Sequence, residues 1–412
     1  EVIRMPSVCL YFQVHQPCRL RRYSFFDVGH VHDYEDEAEN HRILDRVAQK
    51  CYLPANALLL KLIEEHKGKF RVAFSLSGVV LDQIERRRPD VLESFRRLAA
   101  TGCVEFLNET DSHSLAFLFS PREFRAQVLL HRKRIRALFG QDGRTFRHTE
   151  LIYSNDLAKA VDKLGYAVIL AEGTEKILGR RSPNRVYRPA GCGKLKLLLR
   201  NYRLSDDVAF RFSEAAWSEH PLTAEKYAHW LHRIGGEEAV VNLFMDYETF
   251  GEHQWRETGI FEFLSALPGE ILRHPDFFFQ TPAEVAASHD PAGEIDCPGF
   301  ISWADVERDM TAWLGNAMQQ DAARSLYGLE SAVRRRKDEG IFKTWRMLQT
   351  SDHFYYMCTK WFSDGDVHRY FNPFESPYEA YINYMNILDD LSQSLKQKKE
   401  CIHDRDAQTL PL

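Results

Sequence analysis

Residues 240–255 read V-V-N-L-F-M-D-Y-E-T-F-G-E-H-Q-W, and this stretch sets the fold prediction. Six mainly apolar residues, typical of a buried strand, end abruptly in charged side chains. These are Asp246, Glu248, Glu252 and His253. In barrels and open α/β sheets, catalytic groups collect at the carboxyl ends of strands. The stretch therefore predicts a strand that ends in a site, although solvation of a loop would explain Glu252 equally well.

Similar β-rich apolar runs recur through the first two thirds of the chain and alternate with segments of helical period. Near-continuous hydrophobicity suits strands that are buried on both faces, as in a parallel sheet. This alternation predicts an α/β barrel or a doubly wound sheet, and the polar side chains that follow several strands favour the barrel. The predicted strands span residues 8–14, 70–76, 104–107, 166–170, 196–199 and 240–245, and the predicted helices span 82–100, 121–139 and 154–164.

The pattern changes near residues 288–298, where S-H-D-P-A-G-E-I-D-C-P is rich in turn-forming residues. Beyond this stretch the helical period dominates, and the predicted helices span residues 303–317, 318–337, 342–361 and 378–399. We therefore predict a catalytic barrel over residues 1–287. A helical region over residues 288–412 is expected to pack on the barrel and complete the cleft, with a frayed tail from residue 400.

Composition argues against several classes of partner. A net charge of -5 and a pI near 6.4 provide no electrostatic case for binding nucleic acid or an anionic membrane. No apolar run could span a bilayer and the first residues show no signal pattern, so a cytoplasmic protein is expected. The 8 cysteines form no C-x-x-C pair, and no His pair has ligand spacing. We therefore expect neither a metal site nor a cofactor.

Two further segments place polar side chains at element ends. The first strand ends in Q-V-H-Q-P, where His15 and Gln16 offer several hydrogen-bond partners to a sugar. Glu150 lies beside the apolar pair L-I, an environment in which a carboxylate needs a partner or a function. A salt bridge to Arg147 is the structural alternative for Glu150.

Other candidates lie in a loop and in the helical region. The stretch V-E-F-L-N-E-T-D-S-H-S-L gathers acids around His113, although a solvated loop is a strong alternative. In the helical region, Trp313, Asp352 and His353 combine polar groups with flat rings that could contact a sugar. Helix packing would explain the aromatic residues as well, whereas the Asp–His pair is harder to explain by packing.

The residue types narrow the chemistry. The chain has no G-x-S-x-G elbow and no Gly-rich loop that could cradle a phosphate. Two carboxylates on different strands, surrounded by amide, imidazole and aromatic groups, suit glycosyl transfer or hydrolysis. One carboxylate attacks the anomeric carbon, and the other protonates the leaving oxygen and then deprotonates the acceptor.

Five motifs in this order resemble the ordered sequence regions of glycoside hydrolase family 57, and most closely its α-amylase-type subgroup. They are H-Q-P, V-E-F-L-N-E-T-D-S-H-S-L, F-R-H-T-E-L-I-Y, M-D-Y-E-T-F-G-E-H and T-S-D-H-F-Y-Y-M. The stretch S-W-A-D-V-E-R-D-M-T-A-W-L-G-N supports the subgroup. The resemblance implies an incomplete (β/α)7 barrel followed by a C-terminal helical bundle, acting with retention on α-1,4- or α-1,6-linked glucans.

The resemblance also implies roles for individual residues. It places the nucleophile at Glu150 and the acid/base at Asp246. Some members carry a histidine where this chain has Gln13, so no role is implied for that position. Glu150 should be kept ionised by donors such as Arg147 or His113, and Asp246 should be protonated because of burial and the charge of Glu150. A retaining pair should lie about 5–5.5 Å apart. The residues expected around the sugar are His15, His113, Glu248 and Asp352.

Several functions remain open on these residues. The leading hypothesis is an α-amylase or a 4-α-glucanotransferase that acts on an α-glucan or maltooligosaccharide, since the two differ only in the acceptor. A glucan-binding relative without activity is a second hypothesis, which the presence of both carboxylates disfavours. A branching enzyme and a metal-dependent deacetylase or mannosidase on a related barrel are further alternatives.

Overall fold

The computed structural model describes residues 6–235, 238–360 and 372–396. Within these ranges, strands alternate with helices as far as residue 295, and helices follow. The strands are β1 (Ser7–Val14), β2 (Val72–Leu76), β3 (Val104–Phe106), β4 (Thr145–Arg147), β5 (Val168–Glu172), β6 (Arg188–Pro189), β7 (Lys196–Arg200), β8 (Val240–Asp246) and β9 (Glu294–Ile295).

Helices cover the strands and build the C-terminal region. The helices up to β9 are α1 (Glu37–Val47), α2 (Leu53–Glu65), α3 (Gly78–Arg87), α4 (Pro89–Ala100), α5 (Ala116–Phe119), α6 (Pro121–Phe139), α7 (Asn155–Lys163), α8 (Glu175–Leu178), α9 (Tyr202–Ala209), α10 (Ala224–His232), α11 (Ile260–Leu272) and α12 (Pro282–Ser288). Those after it are α13 (Thr311–Leu314), α14 (Ala317–Gly328), α15 (Glu330–Arg336), α16 (Glu339–Met347), α17 (Ser351–Tyr355) and α18 (Pro377–Lys396).

Seven strands form two parallel sheets, in the orders β3-β2-β1-β8 and β4-β5-β7, and β6 pairs with β9. The sheets are linked at both edges. A bridge between Asn108 and Phe146 connects the end of β3 to β4. At the other edge, the Asn201 amide donates to the Asn242 carbonyl oxygen at 2.9 Å. The result is the barrel-like α/β fold with a C-terminal helical region that the sequence predicts.

Alternation along β1 separates two environments. Leu10 and Phe12 belong to the core between the sheet and the surrounding helices, whereas Cys9 and Tyr11 face an inner core shared with β5, β7 and β8. Gln13 continues the inward row at the carboxyl end of the strand, where its register partners are Ser75 on β2 and Asp246 on β8. The inner face is therefore apolar low in the barrel and polar at the carboxyl end.

Three predicted helices are wrong in detail. The helix predicted over 82–100 is two helices, because Pro89 starts α4 and cannot donate to the preceding turn. Residues 303–310 form a loop rather than a helix, with positive φ at Asp305 and Arg308. Residues 342–361 divide into α16 and α17, and position 361 lies outside the described residues.

The other C-terminal predictions are close. The segment 318–337 corresponds to α14 and α15, and 378–399 corresponds to α18, with positions 397–399 outside the described residues. The tail from residue 400 also lies outside them. Among the helices that the structure describes, none combines the length and the apolar character needed to cross a membrane.

Candidate active site

Glu150 lies in a helical turn, Thr149–Leu151, directly after β4. Its φ is 57° and that of Leu151 is 50°, a left-handed backbone conformation that residues other than glycine rarely adopt. Both carboxylate oxygens have partners: His113 Nε2 lies 3.0 Å from Oε1, and Trp303 Nε1 donates to Oε2 at 2.8 Å. The side chain stays 23% exposed, so the turn orients a carboxylate that a ligand can still reach.

His113 connects Glu150 to a second acid. Its Nδ1 atom lies 2.7 Å from Oε2 of Glu109, and both residues are buried. Burial lowers the pKa of His113, but the charges and hydrogen bonds of Glu109 and Glu150 raise it to about 9. The ring is therefore an imidazolium near neutral pH, with each nitrogen donating to a carboxylate.

The pKa of Glu150 lies below its usual range. Burial raises this pKa, but the hydrogen bond and charge of His113, together with the charge of Arg147, lower it by more. The expectation that these two groups keep Glu150 ionised is confirmed. The group has the ionisation state of a nucleophile at neutral pH.

Asp246 shows the opposite shift. It ends β8, and its register partner is Gln13 on β1. Burial raises the pKa of Asp246, and the charge of Glu150 raises it further, to about 6 despite the opposing charges of Arg147 and Arg200. Both causes that the sequence analysis named are confirmed. Two carboxyls in one site with pKa values pushed apart are the signature of separate acid and nucleophile roles.

Gln13 and Glu109 form a buried support that the sequence analysis did not assign. Gln13 Nε2 donates to Oε1 of Glu109 at 3.2 Å, while Gln13 Oε1 accepts from Tyr11 at 2.9 Å and from Ser75 at 2.7 Å. The amide thus fixes the carboxylate that pairs with His113. Strand alternation was the available signal, because Gln13 lies two residues beyond the inward-facing Tyr11.

His15 and Asp352 join the site from opposite ends of the chain. Nδ1 of His15 lies 2.6 Å from Ser77 Oγ, and Nε2 lies 2.9 Å from Asp352 Oδ2. The His15 ring stacks on His113 with 3.9 Å between centroids and 20° between planes. Burial raises the pKa of Asp352, but the charge and hydrogen bond of His15 outweigh it and keep the carboxylate ionised. The structure therefore brings His15, His113 and Asp352 together.

The other predicted contact residues near the barrel engage protein partners. Gln16 accepts from Arg19 at 3.3 Å. Glu248 is buried and accepts from the Tyr52 hydroxyl, and burial and the charge of Asp246 raise its pKa to about 8. Because the Tyr52 hydroxyl holds its carboxyl, Glu248 is positioned by the protein itself and is mostly protonated near neutral pH.

Two predicted contacts lie in the core of the helical region. Trp313 is 1% exposed and packs beside Tyr355, with 6.3 Å between ring centroids. His353 is buried against Tyr356 and Tyr384, and burial lowers its pKa to about 4. For both residues the structure favours a packing role over the sugar contact that the sequence suggested, because their rings are covered by protein.

Trp303 is a site residue that the sequence analysis could not single out among the aromatics. It belongs to the loop 303–310, which is not helical, and from this loop the indole nitrogen of Trp303 reaches Oε2 of Glu150. Arg147 lies under the indole, 4.9 Å from the ring centroid, and is buried. None of its three guanidinium nitrogens hydrogen-bonds to any described residue. The charge of Arg147 is thus directed at the site rather than neutralised by a salt bridge to Glu150.

No group of three or more His, Cys, Asp or Glu side chains could hold a metal ion within residues 6–235, 238–360 and 372–396. The carboxylates and imidazoles of the site instead bond to one another in pairs, as in His15–Asp352 and His113–Glu109. The described arrangement can supply a nucleophile, a proton donor and fixed charges.

Comparison with known proteins places the chain in a family. The sequence model of "Glycosyl hydrolase family 57" matches residues 9–298. A Methanocaldococcus jannaschii protein named "Putative alpha-amylase" is 45% identical over 400 residues, which cover 94% of this chain and 84% of that protein. The chain belongs to glycosyl hydrolase family 57.

Solved structures show the family 57 fold. The 4-alpha-glucanotransferase of Thermococcus litoralis superposes with a TM-score of 0.71 at 15% identity, covering 96% of this chain and 61% of that one. A family 57 branching enzyme of Thermococcus kodakaraensis gives 0.68 at 13% identity, covering 95% and 90%. This family 57 chain therefore spans less than two thirds of the length of the glucanotransferase.

Proposed function

We propose that this family 57 protein is a retaining enzyme that cleaves α-1,4-glucosidic bonds of α-glucans or maltooligosaccharides through a covalent glycosyl-enzyme intermediate. The opposite pKa shifts of Glu150 and Asp246 carry the proposal, because a retaining pair needs one ionised and one protonated carboxyl. The substrate class rests on family membership and on the relatives named as an alpha-amylase and a 4-alpha-glucanotransferase.

In the first step Glu150 attacks the anomeric carbon while Asp246 protonates the leaving oxygen. His113 and Trp303 hold the two oxygens of Glu150, which orients the carboxylate before attack. Esterification then removes the negative charge of Glu150. Since that charge is one cause of the raised pKa of Asp246, the pKa of Asp246 falls and the carboxylate becomes the base of the second step.

The remaining polar residues bind the sugar or support those that do. His15 and Asp352, which are bonded to each other beside His113, are proposed to contact sugar hydroxyls. Gln16, Glu248 and His353 bond to or pack against protein groups, and they are proposed to hold the sugar-binding residues in place rather than to contact the sugar themselves. The separation of about 5–5.5 Å between the two reacting carboxyls stays a prediction.

We further propose that residues 1–287 form the catalytic barrel and residues 288–412 a helical region that completes the cleft. Two contacts support the role of the helical region in the cleft, because each brings one of its residues into the site on the barrel. They are the contacts of Trp303 with Glu150 and of Asp352 with His15. A cytoplasmic location is proposed because the 7 described cysteines are all free thiols, as in a reducing compartment.

The experiment follows maltoheptaose by proton NMR and by product sizing. The proposal expects the α-anomer as the first product, with shorter products alone for hydrolysis and longer ones as well for transfer to a sugar. Glu150→Gln and Asp246→Asn should abolish product formation with the fold intact by circular dichroism. A β-anomeric first product, or full turnover by either variant, contradicts the assignment.

A further inference from the structure

A cavity of about 830 Å³ lies between α3, α6, α15 and α16, apart from the proposed reacting carboxyls. Its volume is in the range of sites for small metabolites. Asp111, Ser112 and Thr350 form part of its lining, and each lies within two residues of His113 or Asp352 along the chain. The cavity therefore adjoins the loop that carries His113 and the start of α17, which carries Asp352.

One wall of the cavity is acidic. Arg134 is shared by three carboxylates, with its Nη2 atom 2.9 Å from Asp82 and 3.6 Å from Glu85, and its Nη1 atom 3.4 Å from Asp111. Glu35 and Arg86, at 3.9 Å, form the other pair on this wall. Four carboxylates thus face two guanidinium groups. Carboxylate oxygens that are not fully paired accept hydrogen bonds from hydroxyl groups.

A second wall, formed by α15, α16, the residues between them and the start of α6, is basic. Five cations there outnumber the two carboxylates of the lining, Asp338 and Glu339. Among the cations, Arg122, Lys337 and Lys343 are exposed, and their side chains form no hydrogen bond or ion pair with any described residue. Lysine and arginine side chains without partners are the usual recognition elements for phosphate groups. The other two cations are Arg334 and Arg346.

We propose that this cavity binds a phosphorylated sugar, with the phosphate at Lys337 and Lys343 and the sugar hydroxyls at the carboxylates of the acidic wall. A ligand of this class matches the charge separation across the cavity, because it carries a dianion at one end and hydrogen-bond donors at the other. The proposal does not depend on the reaction proposed for the active site.

Hydrogen bonds connect the basic wall to His113. Arg346 Nε donates to Oε1 of the buried Glu123 at 2.7 Å, and Gln127 Nε2 donates to the same oxygen at 3.0 Å. Gln127 Oε1 accepts from the Ser112 amide at 3.2 Å and from Ser114 Oγ at 2.8 Å.

Ser112 and Ser114 flank His113, whose φ of 47° is held by such contacts. A phosphate at Lys337 and Lys343 shares the cavity lining with Arg346, and by attracting this guanidinium away from Glu123 it would alter the support of the His113 loop. Occupancy of the cavity is in this way coupled to the histidine that keeps Glu150 ionised.

Isothermal titration calorimetry tests the site with glucose 1-phosphate, inorganic phosphate and glucose as probes. We expect saturable binding of glucose 1-phosphate, tighter than that of either other probe. Lys337→Gln and Lys343→Gln should each weaken it roughly tenfold by removing a charged hydrogen bond. The matched control is Lys133→Gln, an exposed lysine of α6 outside the lining, which should leave binding unchanged.

Absence of saturable binding overturns the proposal, and so does binding that both cavity variants leave unchanged. Glucose 1-phosphate that binds no tighter than inorganic phosphate contradicts the ligand class. Hydrogen exchange of residues 109–115 tests the coupling without any activity assay: the ligand should change exchange in the wild type, and Lys343→Gln should need roughly tenfold more ligand for the same change. Bound ligand with unchanged exchange in this segment contradicts the coupling.

Discussion

The Nε2 atom of His113 lies 3.0 Å from the Oε1 atom of Glu150, which pairs the proposed nucleophile with a buried imidazolium. Burial raises the pKa of Glu150, but this contact and the charge of Arg147 together lower it by more. Burial raises the pKa of Asp246, and the negative charge of the same Glu150 raises it further. One interaction thus prepares both carboxyls for a retaining reaction.

The pH profile of the wild type should be bell-shaped. Burial and the charge of Glu150 raise the pKa of Asp246 to about 6, and Asp246 must be protonated for the first step. Activity should therefore fall as pH rises through about 6, and the acidic limb should lie below the usual range of a glutamate because the pKa of Glu150 is lowered. The measurement is kcat/KM for maltoheptaose from about pH 3 to about pH 9, a range that extends roughly three pH units to either side of the pKa of Asp246. A profile that stays flat across the region near pH 6 would contradict the role of Asp246.

Replacement of His113 by Gln should raise the pKa of Glu150, because a neutral amide removes the positive charge and keeps only a hydrogen bond. The acidic limb of kcat/KM should then move to higher pH, and the maximal rate should fall roughly a hundredfold. Lys133→Gln on the exposed face of α6 serves as a control and should leave the profile unmoved. The pairing has no catalytic consequence if the acidic limb of His113→Gln coincides with that of the wild type.

The imidazolium should also contribute to stability in a pH-dependent way. The charges of Glu109 and Glu150 outweigh burial and raise the pKa of His113 to about 9 in the folded protein, above its unfolded value. This contribution, on the order of 3 kcal/mol, is fully present below about pH 6.5 and is lost as pH rises towards 9. Urea unfolding of the wild type and His113→Gln should show a difference in unfolding free energy that shrinks over this interval. A constant difference would show that His113 does not titrate as described.

Trp303→Phe should keep a ring over Arg147 but remove the donor to Oε2 of Glu150. We expect kcat/KM to fall about tenfold or more, as one charged hydrogen bond is lost. Trp217→Phe is the matched control, since Trp217 packs against Trp230 in the outer core. Equal rates for the wild type and Trp303→Phe would assign the indole a packing role alone.

Gln13→Leu should destabilise the protein by about 1–3 kcal/mol, because it leaves Oε1 of the buried Glu109 without its donor and removes the acceptor that the Tyr11 and Ser75 hydroxyls share. Thermal unfolding measures this loss, and the pH profile reports whether the His113 support has changed. If Gln13→Leu is as stable as the wild type with an unchanged profile, the amide does not support Glu109.

Local sequence predicted six of the nine described strands, missing β4, β6 and β9, and it singled out the two carboxyls that are proposed to react. Asp246 stands out because an apolar run precedes it directly, and Glu150 because it has apolar neighbours. Both signals are contained within a few residues. The same holds for the strand–helix alternation, which specifies the barrel-like fold.

The partners of these carboxyls could not be predicted in the same way. The contact of Trp303 with Glu150 spans 153 positions, and that of Asp352 with His15 spans 337. The helical period of residues 303–317 gave no sign that the first half would form a loop. Trp313 illustrates the converse, because an aromatic residue in a promising motif proved to be buried in the helical core.

Trapping the intermediate tests the central claim most directly. Asp246→Asn would be incubated with α-maltotriosyl fluoride, whose leaving group needs no proton, so attack by Glu150 proceeds while the second step lacks its base. Mass spectrometry of the digested protein should then show one maltotriosyl group on the peptide that contains Glu150, and none when Glu150→Gln is added to the variant. An adduct on a different carboxylate, or turnover without any adduct, would contradict the assignment of Glu150 as the nucleophile.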